Sequence, residues 1–181
     1  MATLLIIGLA LVSIIALLLI IALFINGNYD IEREVTITKP KEEVFDYVKY
    51  LKNQNKFSVW AKTDPAMKTE FRGEDATVGF VSAWDSEHPK VGKGEQKIVK
   101  IDKSERIDYE IHFIKPFEAT NHAHMAFESP SKSTTTVKWG FQGKMKYPMN
   151  LMMLTMNMEK MIASDLQNGL NNLKTILEQE K

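Results

Sequence analysis

The 181-residue chain has no cysteine. Disulfides, a thiol nucleophile and cysteine-bound zinc are therefore excluded. Neither sign of charge is in excess, with 23 Lys+Arg against 23 Asp+Glu. Every one of those charges follows Phe24, so the polar part of the chain is neutral by itself. Nucleic-acid binding ordinarily needs a basic face, so no nucleic-acid partner is expected. Also missing are a G-x-S-x-G motif, a glycine-rich phosphate loop and an H-E-x-x-H helix. No catalytic residue, metal or cofactor is implied by a motif.

The longest feature present is itself uncharged. Leu4 to Ile25 is 22 residues without a charge, and 17 of them are Leu, Ile, Val or Phe. A helix of that length reaches about 33 Å, enough for a hydrocarbon core of about 30 Å. At a few tenths of a kcal/mol per residue, its insertion is favoured by roughly 5 kcal/mol. A cleaved signal peptide would need a basic start, a shorter apolar run and a small-x-small site. The opening Met-Ala-Thr and Ala22-Leu23-Phe24 provide none of these. Leu4–Ile25 is accordingly expected to be a permanent membrane anchor. Arg33, Lys39 and Lys41 follow it and no basic residue precedes it, which places the rest of the chain in the cytoplasm by the positive-inside rule. The linker Asn26 to Tyr29 spans at most about 14 Å. Residues 1–28 are thus read as anchor and linker, and 29–181 as one domain close to the headgroups.

Within 29–181 the apolar periodicity changes three times. Ile31, Val35 and Ile37 alternate with polar residues, as in a half-buried strand. Pro40 suits the start of a helix. Glu42 and Glu43 follow in its first turn, Val44, Val48 and Leu51 form its apolar stripe, and Asn53–Asn55 end it. From Met67 to Phe141 the pattern is β. The runs Met67–Arg72, Val78–Trp84, Glu95–Ile101, Ile107–Phe113, Ala119–Phe127 and Thr135–Phe141 are separated by turn residues such as Pro89, Gly92 and Ser129-Pro130-Ser131. Six or seven antiparallel strands at hairpin spacing make one meandering sheet with one buried face. From Met149 to Glu180 a helical stripe runs through Leu154, Met158, Ile162, Leu166, Leu170, Leu173 and Leu177, predicting a single helix of about 30 residues. The fold class is α+β, with that helix packed on the sheet.

Two clusters invite chemistry. Met145, Met149, Met152, Met153, Met156, Met158 and Met161 are seven of the ten methionines. Flexible, polarisable side chains of this kind fill ordinary cores, and they also line surfaces that accept varied apolar shapes. His112, His122 and His124 share the even, polar parity with Glu110. With a turn near Pro116 they fall on one face, and three imidazoles and a carboxylate are a zinc-like set. That face is the solvated one, so an ordinary polar surface is expected there.

The opening of the domain resembles the START-like or SRPBCC superfamily, which includes birch-pollen-allergen-like and polyketide-cyclase-like proteins. Ile37, Pro40, Val44 and Phe45 resemble its I-x-x-P-x-x-x-V-F/W pattern, and Phe57 and Trp60 its aromatic turn. The resemblance covers Tyr29 to Glu180. It implies a helix-grip fold, a sheet wrapped around the long C-terminal helix with a cavity between them. The expected lining is Trp60, Tyr109, Phe113, Phe127, Trp139 and Phe141 on one side and Met153, Met158 and Met161 on the other. The expected occupant is an apolar small molecule or lipid. A cyclase- or hydratase-like enzyme is the alternative the family implies, with Asp85, Tyr109 or Asn121 as polar candidates. A third is a partner-binding module with a filled core, as in chaperone-activator relatives.

Overall fold

The computed structural model describes residues 1–155 and 157–179. The chain opens with helix α1 (Ala2–Phe24), which is long and apolar enough to cross a membrane and almost wholly exposed. Strand β1 (Asn28–Ile37) follows, then three short helices, α2 (Lys41–Val48), α3 (Leu51–Phe57) and α4 (Val59–Thr63). Strands β2 (Lys68–Arg72), β3 (Val81–Asp85), β4 (Lys93–Asp102), β5 (Arg106–Lys115), β6 (Ala119–Ser131) and β7 (Thr134–Lys144) form the meander. A 3₁₀ turn (Met149–Leu151), helix α5 (Met152–Thr155) and helix α6 (Met158–Gln179) end it.

The seven strands form one antiparallel sheet in the order β1-β7-β6-β5-β4-β3-β2. Register follows from alternation, because a slip of one residue would turn each apolar set to the wrong face. Glu110 pairs with His122 and His112 with Thr120, the register expected of a turn near Pro116. The inner face carries Ile37, Ile98, Ile107, Met125 and Val137, all fully buried. On the outer face His124 is buried too, and its Nε2 lies 2.9 Å from Glu32 Oε2 across β7.

Helix α6 lies on the inner face. Leu166, Leu170, Leu173 and Leu177 point into the core. Its flank is tied to β1 by polar bonds: Gln167 Nε2 donates to Glu34 O (3.2 Å), Lys174 Nζ to Thr36 O (2.5 Å), and the Thr38 N–H to Glu178 Oε1 (2.7 Å). Gly169 sits where α6 crosses Trp139. A Cβ there would stand 2.7 Å from Trp139 Cζ3, so only glycine permits this approach.

Two expected helices are broken. The stretch after Pro40 is not one helix, because Tyr50 is extended and a new helix begins at Leu51. The Asp75 carboxylate sets that start by accepting the N–H groups of Leu51 (2.8 Å) and Lys52 (3.2 Å), a favourable place for an anion. At the C-terminal end the Asn157 side chain accepts the Lys160 N–H (3.2 Å). That is an N-cap bond, and α6 starts after it rather than at Met149. The gripped helix is therefore 22 residues, not about 30. Met156 and Glu180 lie outside the described residues. The Ser129-Pro130-Ser131 turn is instead an irregular end of β6, with a register shift between Glu128 and Ser131.

Candidate functional site

The sheet register divides the inner face into two halves. One half is solid. Ile37, Ile107, Phe127 and Val137 meet Phe45 and Val48 of α2, with Phe45 edge-on to Phe127 at 5.4 Å. The other half is hollow. A cavity of about 420 Å³ lies between the sheet, helices α3 and α4, and the first turns of α6. That volume falls within the range of small-molecule sites, about 300–1,000 Å³.

Its aromatic wall is Trp60, Trp84, Phe113, Trp139 and Phe141. Trp139 is the centre of it, with Phe57 edge-on at 5.7 Å and Trp60 at 6.1 Å. The Phe57/Trp60 turn thus plugs one side of the hollow by packing on a sheet tryptophan. The opposite wall is rich in sulfur, with Met145, Met149, Met158 and Met161. Such a wall can yield to different apolar shapes at little cost.

Of the nine lining residues expected from sequence, Trp60, Phe113, Trp139, Phe141, Met158 and Met161 line the cavity. Tyr109, Phe127 and Met153 do not. Tyr109 and Phe127 have the inward parity but belong to the solid core. Burial pushes the Tyr109 hydroxyl far up, and Phe127 is covered by Phe45. Met153 sits in α5, a helix separate from α6, so the α6 stripe does not carry through to it.

The polar candidates separate in the same way. Asp85 is on the surface, 2.6 Å from Lys93 Nζ, which holds its carboxyl below the ordinary value. Asn121 lines the cavity and is only 4 % exposed. Tyr29, Gln54 and Gln96 join it there, none of them expected from sequence. Gln96 shares the parity of buried Ile98, a signal that was available. Tyr29 carried none, because its position comes from pairing with Gly143, more than a hundred residues away. Gln96 Nε2 donates to Gln54 Oε1 (3.1 Å), so this pair satisfies itself.

The rim of the cavity meets the end of α1. Lys144, Met145, Lys146 and Met149 are all lining residues. The Met145 N–H donates to Gly27 O (2.9 Å). Next to Met149, Asn150 Nδ2 donates to Ala22 O (2.7 Å) and Ile25 O (3.0 Å). Ala22 O also accepts the Ile25 N–H (3.4 Å), while Ile25 O lies past the helix end, where carbonyls lack intrahelical donors. Ala22 is 1 % exposed at this contact, whereas the rest of α1 is open.

Sheet, gripped helix and internal apolar cavity define a helix-grip protein. The chain belongs to the polyketide cyclase / dehydrase and lipid transport family, whose model matches residues 29–178. Solved structures share the fold at low identity. Norcoclaurine synthase from Thalictrum flavum, in complex with dopamine and hydroxybenzaldehyde, is 10% identical, with 90% of this chain and 93% of that one covered and a TM-score of 0.64. Ara h 8.0201 is 15% identical over 85% of this chain and 100% of its own, with a TM-score of 0.58. The Aha1 dimer from Colwellia psychrerythraea is also 15% identical, covering 84% and 98%, with a TM-score of 0.58. Likenesses at this level establish fold alone. No match was found among curated proteins.

Proposed function

We propose that this protein is a membrane-anchored binding module that holds a hydrophobic small molecule or lipid in the cavity between sheet and α6. Residues 1–28 act as anchor and linker, and 29–181 as the binding domain. The observation that carries the reading is the cavity itself, because half of the inner face is left unfilled and walled by aromatic rings and methionines. An unfilled apolar space costs stability, and an occupant restores the lost contacts. The reading of α1 as an anchor rests on its length, its composition and its exposure. The exposed apolar residues Phe117, Tyr147, Leu154 and Met161, on or beside the rim that α1 meets, suit contact with a bilayer. Arg33, Lys39 and Lys41 favour a cytoplasmic domain.

The family also includes cyclases and dehydratases. The observation favouring an enzyme is that Tyr29, Asn121, Gln54 and Gln96 reach the cavity. These are a phenol and three amides, and the charged lining residues Lys90, Glu118, Lys144 and Lys146 are all exposed, so binding is the better account. A partner-binding module with a filled core does not match the hollow.

The test is titration of the full chain in micelles with an environment-sensitive apolar dye. Wild type should bind one dye per chain saturably. Ala119→Trp, which puts an indole into the cavity, should lose that binding while keeping its melting temperature within a few degrees. Equal dye binding by both would show that the dye reports the micelle and not the cavity.

A further inference from the structure

Among the described residues, the wall of the cavity contains one buried side-chain polar atom without a hydrogen-bond partner. Asn121 Oδ1 is buried and accepts no hydrogen bond. It lies beside the Tyr29 hydroxyl, above Gly143. Tyr29 and Gly143 are direct partners across β1 and β7. The β6–β7 register, in which His122 faces Gln142, brings Asn121 to the same row. A Cβ at position 143 would collide with both Asn121 Oδ1 and the Tyr29 hydroxyl. Glycine is thus required for the two polar groups to converge. The Tyr29 ring is fixed by stacking on Phe141, at 5.9 Å and 15°. Burial raises its pKa, partly offset by a side-chain hydrogen bond from the Asn121 amide N–H, which leaves Oδ1 unpartnered and the phenol protonated at neutral pH.

A buried carbonyl oxygen without a donor is costly. Elsewhere in this cavity the Gln54 carbonyl shows the ordinary solution, a donor from the neighbouring Gln96 amide. At Asn121 the missing partner must come from the cavity. The atom there is an acceptor, so the partner must donate. The neighbouring phenol can both donate and accept. A hydroxyl group answers both needs: it donates to Asn121 Oδ1 and accepts from Tyr29. Much of the remaining wall is aromatic and methionine-lined, which suits a hydrocarbon body, and the exposed Lys90, Glu118, Lys144 and Lys146 also lie along it.

We propose that the cavity's ligand is an apolar molecule carrying one hydroxyl group, docked where Asn121 and Tyr29 meet above Gly143. This rests on the reading of the cavity as a ligand site and narrows it to a ligand class. Asn121 and Tyr29 are then specificity residues, and a pure hydrocarbon, or an ether that can only accept, is discriminated against.

The experiment displaces the apolar dye from the full chain in micelles with dodecan-1-ol and with its methyl ether. The ether has the same chain and an oxygen, but nothing to donate. Comparing the alcohol-to-ether preference of wild type with that of Asn121→Leu in the same micelles cancels partitioning of the probes. Wild type should prefer the alcohol by about tenfold more than Asn121→Leu does. Tyr29→Phe, which keeps the stack on Phe141, should lose several-fold of that preference, and it serves alone if Asn121→Leu does not fold. The same preference in wild type and both variants would overturn the hydroxyl assignment and leave cavity binding intact. Dye that neither probe displaces, in a protein that fails the Ala119→Trp comparison, would overturn both readings.

Discussion

Asn150 is the residue whose removal most directly tests how the domain is held at the end of α1. Its Nδ2 donates to Ala22 O at 2.7 Å and Ile25 O at 3.0 Å, at the C-terminal end of the helix. Replacement by leucine keeps the volume and removes both bonds. Each such bond contributes about 1 kcal/mol net, and leucine also removes the buried, unpartnered Asn150 Oδ1, so the contact between α1 and the cavity rim should weaken by up to about 2 kcal/mol. Opening of this contact should then be up to about thirtyfold more frequent. The Met145 amide reports it, because its N–H is bonded to Gly27 O across the same junction. Hydrogen exchange of the full chain in micelles should show Met145 exchanging up to about thirtyfold faster in Asn150→Leu. The Phe127 amide, bonded to Glu105 O in the solid half, should be unchanged. Met145 exchange at the wild-type rate would refute the claim that Asn150 fastens the domain to α1. A parallel rise at Phe127 would show general destabilisation instead.

Other expectations follow from single contacts. Asp75→Ala removes the carboxylate that holds the start of α3, and thermal unfolding should show a loss of about 1–2 kcal/mol. Gly169→Ala gains helix propensity of at most about 1 kcal/mol but drives a methyl into Trp139, which Phe57 and Trp60 already hold. Overpacking should win, with a net loss of about 1–2 kcal/mol in a denaturant titration. Glu178 has its pKa lowered from 4.5 by the Thr38 N–H first and then by Lys174. A carboxyl lowered in the folded state adds stability above its unfolded value and loses it as pH falls through the folded one. Melting temperature should therefore fall below about pH 4.5 less steeply in Glu178→Gln than in wild type.

The meander from β2 to β7 and the β5–β6 register were legible in the sequence, where alternation was strict, but the pairing of β1 with β7 was not. Alternation puts Ile107, Tyr109 and Ile111 on the same face as Ala123, Met125 and Phe127, and the turn near Pro116 then selects the pairing of Ile107 with Met125 and Tyr109 with Ala123. Helix breaks were less legible, because they depend on side chains distant in sequence or on a single cap. Asp75 ends the continuity of α2 and α3 from more than twenty residues away. Asn157 reads equally well as a polar residue within a helix or as the cap that starts one. Parity identified the inner face but not which half of it is hollow. Tyr109 and Asn121 have the same inward parity, yet one fills the core and the other faces the cavity. That division is set by where α2, α3 and α6 cover the sheet, which is tertiary information. Tyr29 looked like the end of a linker because its partners, Gly143 and Phe141, come from the last strand.

The central claim is that the hollow half of the grip is occupied by an apolar guest. Organic extraction of the purified full chain, followed by mass spectrometry, tests it most directly, with Ala119→Trp prepared identically for comparison. The account predicts a hydroxyl-bearing apolar compound near one per chain in wild type, enriched over the bulk membrane lipid and lost from Ala119→Trp. Extracts of both proteins that match each other and the bulk lipid would contradict it.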